Sequence, residues 1–289
     1  MGNLKKGWYV CESNFIQWRK NYRIWMIAAI ETILIFRYLH GLSEYGQATG
    51  KTITPFVLPI VFAEAENSNG LLKVLIYLFC NAPFLNNQKP YMILRCKRKG
   101  WYLGENMYLW LAAFLYMLFI SLISLIAVLP TVSTNRLWGE IAGDFVVNQR
   151  SLIPVYTWGL VMPVRVIQNY YPLAAFMYTF ITGWLSIVFI GKLMYLLNLK
   201  IGKKTIGISA AVFFIMLDPV AVYFTNFKQY GLLYVSPINW SSLENINTVS
   251  GYPHLSGEYM FAMYIILIGV ESLLSYICSI KMDIEVKMI

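Results

Sequence analysis

Six apolar runs, at 24–42, 70–85, 108–129, 173–197, 206–224 and 260–280, set the terms on which this chain can fold. A helix rises about 1.5 Å per residue, so about 20 mainly apolar residues cross a hydrocarbon core of about 30 Å. Backbone amides placed in lipid must be satisfied inside the segment that carries them, which leaves helices as the form such runs can take. The expected fold is all-α: a polytopic membrane protein with six transmembrane helices. The shortest run, 70–85, follows ITPFVLPIVFA at 53–63 and is cut off from it by Glu64, Glu66, Asn67, Asn69 and Gly70. That pattern predicts a short helix dipping into the outer leaflet before the second crossing.

Composition removes the soluble alternatives. Of 289 residues, 58% are hydrophobic, 16% aromatic and only 13% charged. The mean hydropathy of +0.56 lies well outside that of an ordinary soluble domain. A net charge of +9 would point to nucleic acid in a soluble protein, but here the basic residues punctuate the apolar runs, so no nucleic-acid partner is expected. The first run begins at Ile24 behind a basic, aromatic segment and lacks a small-residue cleavage pattern, so it is expected to remain as a span. Without internal repeats or low-complexity tracts, 1–289 is taken as a single transmembrane domain. It comprises a cytoplasmic amphipathic segment at 1–23, a six-span bundle at 24–280 and a cytoplasmic tail at 281–289.

Orientation follows from the lysines and arginines. With the N-terminus inside, fifteen of the 23 fall in inner segments, five in outer ones (Lys51, Arg136, Arg150, Arg165, Lys228) and three within spans (Arg37, Lys73, Lys192). Both termini are therefore expected in the cytoplasm of a cell membrane. Cys11 and Cys96 fall in inner segments and Cys80 and Cys278 near inner span ends, so no disulfide framework is expected. The N-terminal segment spaces Leu4, Trp8, Cys11, Phe15, Trp18 and Tyr22 by threes and fours, which predicts an amphipathic helix along the inner membrane face.

Chemistry-bearing motifs are sparse. GQATGKT at 46–52 is one residue short of a phosphate-binding loop, with Tyr45 where the first glycine belongs, and the topology puts it outside. His40 and His254 have no metal-ligand or catalytic spacing around them, so no metal and no catalytic residue is assigned. Arg37, Lys73 and Lys192 lie near span ends and are read as snorkelling. Glu31 and Glu271 lie near mid-span and are expected to face protein, where each either pairs structurally, stays neutral or lines a transport route. Asp218, before Pro219, is read as a helix cap or kink; Gly207 and Ala211 have the spacing of a close helix approach; Asn239-Trp240-Ser241 matches a glycosylation sequon.

One stretch interrupts the apolar pattern. NAPFLNNQKPYMILRCKRKGW at 81–101 gathers Arg95, Lys97, Arg98 and Lys99 behind apolar Tyr91, Met92, Ile93 and Leu94. Inner-side topology alone accounts for the charges. It does not account for Pro83 and Pro90 bracketing a polar segment before an apolar knob.

The ordered set of a basic amphipathic N-terminus, NAPF at 81–84, RCKRKGWYLG at 95–104, Leu129-Pro130, NYYPLAAF at 169–176 and YVSPINWSSL at 234–243 resembles the permease subunits of class-2 type bacterial ABC exporters. The resemblance implies a half-transporter. Two such subunits, alike or different, would form the pathway, with two copies of a separate ATPase beneath them carrying ATP and magnesium; the chain itself would bear no cofactor and no enzymatic activity. It also implies that Tyr91 to Leu94, with Arg95, Lys97, Arg98 and Lys99, couple to that ATPase. An ion-coupled secondary transporter, with Glu31 and Glu271 as ion sites, and a stand-alone membrane immunity protein remain the alternatives.

Overall fold

The computed structural model describes residues 2–63, 71, 74, 76–82, 89–133, 137–148, 162–225, 227, 229–245 and 255–281. Its helices are α1 (Asn3–Ile16), α2 (Tyr22–Thr49), α3 (Leu58–Val61), α4 (Lys89–Val128), α5 (Glu140–Val147), α6 (Val164–Asn169), α7 (Pro172–Ile201), α8 (Lys204–Thr225) and α9 (Gly257–Lys281). Short 3₁₀ turns join several of them, and no strand forms among the described residues. Five helices, α2, α4, α7, α8 and α9, are long and apolar enough to cross a membrane, which marks a multi-pass membrane protein.

Side-chain contacts fix the direction of each long helix. Along α2 and α4, Trp18 meets Tyr108, Glu31 meets Tyr116, and Gly46 meets Thr131, so the two run side by side in the same sense. Helix α7 runs the other way, with Trp184 donating to the Trp110 carbonyl at 3.1 Å and Tyr195 lying against Trp101. Helix α8 turns back along α7 through Gly207 on Asn198 and Phe214 on Phe189. Helix α9 then runs parallel to α7, pairing Tyr264 with Ser186 and Ser279 with Tyr195.

Because α2 and α4 are parallel, the chain must travel the length of the bundle between them. The 70–85 run lies in that interval. Its described residues at 71, 74 and 76–79 are helical, and Leu71, Val74, Ile76, Leu78 and Phe79 are buried. Leu71 lies at the level of Tyr116, while Ala82 accepts a hydrogen bond from Asn198 at 2.7 Å near the opposite limit of the bundle. Lys73 and the polar break at 64–70 lie outside the described residues, as do Pro83 with the rest of 83–88, His254 and the tail from 282.

The two ends differ. One is basic, with Arg23, Arg98, Lys200 and Lys204 grouped around the starts of α2 and α8 and the end of α9. The other is closed by knitted loops: Ile53 bridges both Val132 and Gly139, and Thr54 donates to the Trp138 carbonyl at 3.2 Å. Gly139 is required there, since at φ 88° a Cβ would stand 2.5 Å from the Thr52 carbonyl oxygen. Helix α5 is pinned beneath by Asp144, which accepts from Lys51 and, at 2.8 Å, from Tyr45. Within 53–63 only the four-residue α3 is helical, and its Leu58, Pro59, Ile60 and Val61 are all buried by protein. That surrounding is what irregular backbone inside a membrane protein needs.

The N-terminal helix lies on α4 through Gly7, Val10, Cys11 and Asn14, and Leu4 and Trp8 of the expected apolar stripe are exposed beside that contact. Glycine decides where the two helices can touch. Gly7 meets Gly100 and Gly104, and the absence of three side chains lets backbone approach backbone.

Candidate functional site

Two arrangements carry chemistry beyond packing. The first is at the basic end, where the 81–101 stretch is not a loop after 89: residues 89–96 are helical and continue into α4 across a break at Lys97. Lys97 sits at φ 61° and ψ 160°, a region that side-chain-bearing residues occupy at a cost of about 1–3 kcal/mol. The break is held from both sides. The Cys96 thiol reaches the Lys6 carbonyl at 3.8 Å, and the Arg98 guanidinium donates to the Ile280 carbonyl.

Helical periodicity sorts the expected coupling residues on this elbow. Ile93 is buried, Met92 is half-buried with its sulfur 3.7 Å from the Ser13 hydroxyl, and Cys96 and Gly100 continue that face toward α1. Tyr91 and Leu94, 69% and 72% exposed, form the opposite ridge with Arg95. Lys97 and Lys99 are exposed beside them, and Arg98 turns toward α9. The four-residue apolar knob is thus divided: half belongs to the fold and half faces outward.

The second arrangement lies inside the bundle. Glu31 is fully buried and takes a hydrogen bond with the Tyr116 hydroxyl, which also lies 2.7 Å from the Leu71 carbonyl. A phenol has one proton and a carbonyl can only accept, so both contacts are satisfied together when the Glu31 carboxyl supplies the second proton. Glu271 does not meet Glu31. It sits on α9, 5% exposed, with neither carboxyl oxygen hydrogen-bonded. The nearby cation is Lys192, which is buried rather than snorkelling; its ammonium bonds the Ser272 hydroxyl and stands 6.0 Å over the Trp110 ring.

Around them a polar seam joins α7, α9 and α4. Tyr264 donates to the Pro237 carbonyl at 2.6 Å beside Ser186, Tyr102 donates to the Ser272 carbonyl at 2.7 Å, and Ser279 meets Tyr195 at 3.3 Å. The seam holds the helices in one register and keeps an acid and a base beside each other away from water.

Other candidates resolve as structure. The near phosphate loop is the last turn of α2, with Gly46 packed on Thr131 and Ile141 and Lys51 bonded to Asp144. His40 is exposed and pairs with Glu44 at 3.5 Å. Asp218 accepts from the Asn239 amide at 2.7 Å, tying α8 to the turn before α9; that buries the sequon asparagine and occupies its nitrogen. Gly207 does serve a close approach, its amide donating to Asn198 at 2.9 Å. Sequence reasoning passed over the Gly100 and Gly104 pair, although its small-xxx-small spacing was visible. It also passed over Ser272, Ser275 and Ser279, whose spacing by three and four marks one polar helix face.

No protein-family model matches the chain, and no curated protein matches it.

Proposed function

We propose that this chain is the membrane-spanning permease subunit of an ATP-driven ABC exporter, with six spans and both termini in the cytoplasm. In this reading the basic end faces the cytoplasm, two permease subunits form the pathway, and the elbow at 89–99 is the seat of a separate ATPase that binds and hydrolyses ATP. The observation that carries the reading is an exposed apolar ridge, Tyr91 and Leu94, flanked by Arg95, Lys97 and Lys99 on a short helix joined to a span through the kink at Lys97. An apolar pair ringed by charge is what a buried interface core requires. That junction gives a displacement of the pair a direct route into the bundle.

The test is co-purification of a Walker-type ATPase with the tagged chain from its native membrane. Tyr91→Asp with Leu94→Asp should release the ATPase while insertion stays normal, and neutralising Arg95, Lys97 and Lys99 should weaken association in a salt-dependent way. Retention of the ATPase by the double Asp variant would reduce the elbow to a topology signal. A second reading, an ion-coupled carrier, is favoured by Glu271 lying buried and unbonded near Lys192. It requires ion-driven transport without any ATPase, lost in Glu271→Gln.

A further inference from the structure

At the basic end, two cavities of about 420 and 700 Å³ share Tyr22, Tyr77, Asn81 and Lys204 and together form one lateral groove between α2, the 76–81 segment and α8. Its composition changes along its length. The mouth carries Lys20, Arg23 and Lys204, and none of the three has a carboxylate within ion-pair distance among the described residues. Two of these heads make weak neutral contacts on neighbouring residues: Lys204 donates to the Asn81 side-chain amide oxygen at 3.4 Å and Arg23 to the Cys80 sulfur at 3.5 Å.

Beyond the mouth the groove is apolar. Ile208, Val212 and Met216 follow Lys204 at steps of four along α8, and Met26 faces them from α2. Val212, Met216 and Met26 are between 37% and 45% exposed, so this wall is open along the bundle flank. Twelve residues of helix from Lys204 to Met216 span about 18 Å, against about 15 Å for half a hydrocarbon core. The groove therefore has one charged end and one leaflet's depth of apolar wall.

We infer that this groove binds one anionic glycerophospholipid, phosphate at Lys20, Arg23 and Lys204 and an acyl chain along Ile208 to Met216. Charge complementarity selects the occupant: three cations at the interface without a carboxylate among the described residues suit a net-negative headgroup, whereas a zwitterionic lipid brings its own cation into the mouth. The site depends on α2 and α8 crossing the membrane and not on what the protein transports.

The experiment uses the purified full chain in neutral detergent, titrated with phosphatidylglycerol or phosphatidylcholine and read by native mass spectrometry and thermal stability. Phosphatidylglycerol should bind with one-to-one stoichiometry and raise the melting temperature, and phosphatidylcholine should do neither. Arg23→Gln with Lys204→Gln should weaken binding about thirtyfold, whereas Lys200→Gln with Lys203→Gln, outside the groove, should leave it near wild type. Val212→Trp keeps every charge but fills the acyl wall, and it should weaken binding as well. Equal binding of both lipids, equal loss in both charge pairs, or displacement by glycerol phosphate alone would overturn the assignment. A disulfide between two copies carrying Val212→Cys would also overturn it, since a second copy would then occupy the groove.

Discussion

Replacing Gly104 with alanine tests the seating of α1 on α4. A Cβ there would press on Val10 Cβ and stand 2.5 Å from the Gly7 carbonyl oxygen. Neither obstacle is the far end of a flexible side chain, so the crossing must widen. Overpacking of this kind costs about 1–3 kcal/mol. Full release of α1 would add about 1.5–3 kcal/mol for exposing Val10, so partial lifting and release are both within reach of one methyl group. Cys11 reports on it. Burial, reinforced by Glu105 and Glu12, pushes its thiol up to about 11 in the docked helix. On undocking the value should fall toward about 8.5, raising the thiolate share at pH 8 on the order of a hundredfold. The assay is maleimide labelling at pH 8, resolved by peptide mass so that Cys80 and Cys278 serve as internal references. Gly104→Ala should accelerate Cys11 selectively. Equal Cys11 rates in wild type and variant, with unchanged thermal stability, would refute the glycine-mediated contact.

Two further outcomes follow from the buried and capping polar groups. Tyr116→Phe strands Glu31 and the Leu71 carbonyl together and should destabilise the protein by about 1–3 kcal/mol, whereas Glu31→Gln, whose amide can still donate, should be tolerated; thermal unfolding of the two variants in one detergent decides it. At the opposite end, the Lys51 hydrogen bond holds the Asp144 carboxyl below its ordinary range. A depressed acid contributes stability above its unfolded value and loses it as pH falls through the folded one, so the pin should stay closed from pH 8 to 5 and open only below about 4. The same bond raises the Lys51 ammonium. Asp144→Asn should therefore increase acylation of Lys51 at pH 8, and an unchanged rate would show that the pair does not form.

What the sequence revealed was governed by length and polarity, and what it concealed was governed by contact. Runs of apolar residues located α2, α4, α7, α8 and α9, since the bilayer's thickness imposes a length that composition alone can display. The division of the elbow at 89–96 was not legible, because YMIL beside four basic residues reads as one apolar knob, and only the contacts with Ser13 and Lys6 show which face of the helix is inward. Lys192 was misplaced for a related reason: nearness to a span end permits snorkelling, but the side chain is buried and turns onto Trp110 and Ser272. Glu31 was singled out by its expense in lipid, yet its partner Tyr116 is 85 residues away and no local pattern connects them.

The docking of α1 also imposes an order on biogenesis. Asn14 and Glu105, which touch across that contact, are 91 residues apart. At roughly 5–20 residues per second, a ribosome takes about 5–18 s to make the second after the first. For that interval the first helix exists without its seat, and its exposed Leu4 and Trp8 give the bilayer surface a hold on it. The helix must then leave or pivot on that surface once the Gly100 and Gly104 turn has emerged. Helix α1 is thus made before its seat and is among the last elements to reach its place, so a fusion that delays its docking would trap the chain with its spans inserted and its basic end unassembled.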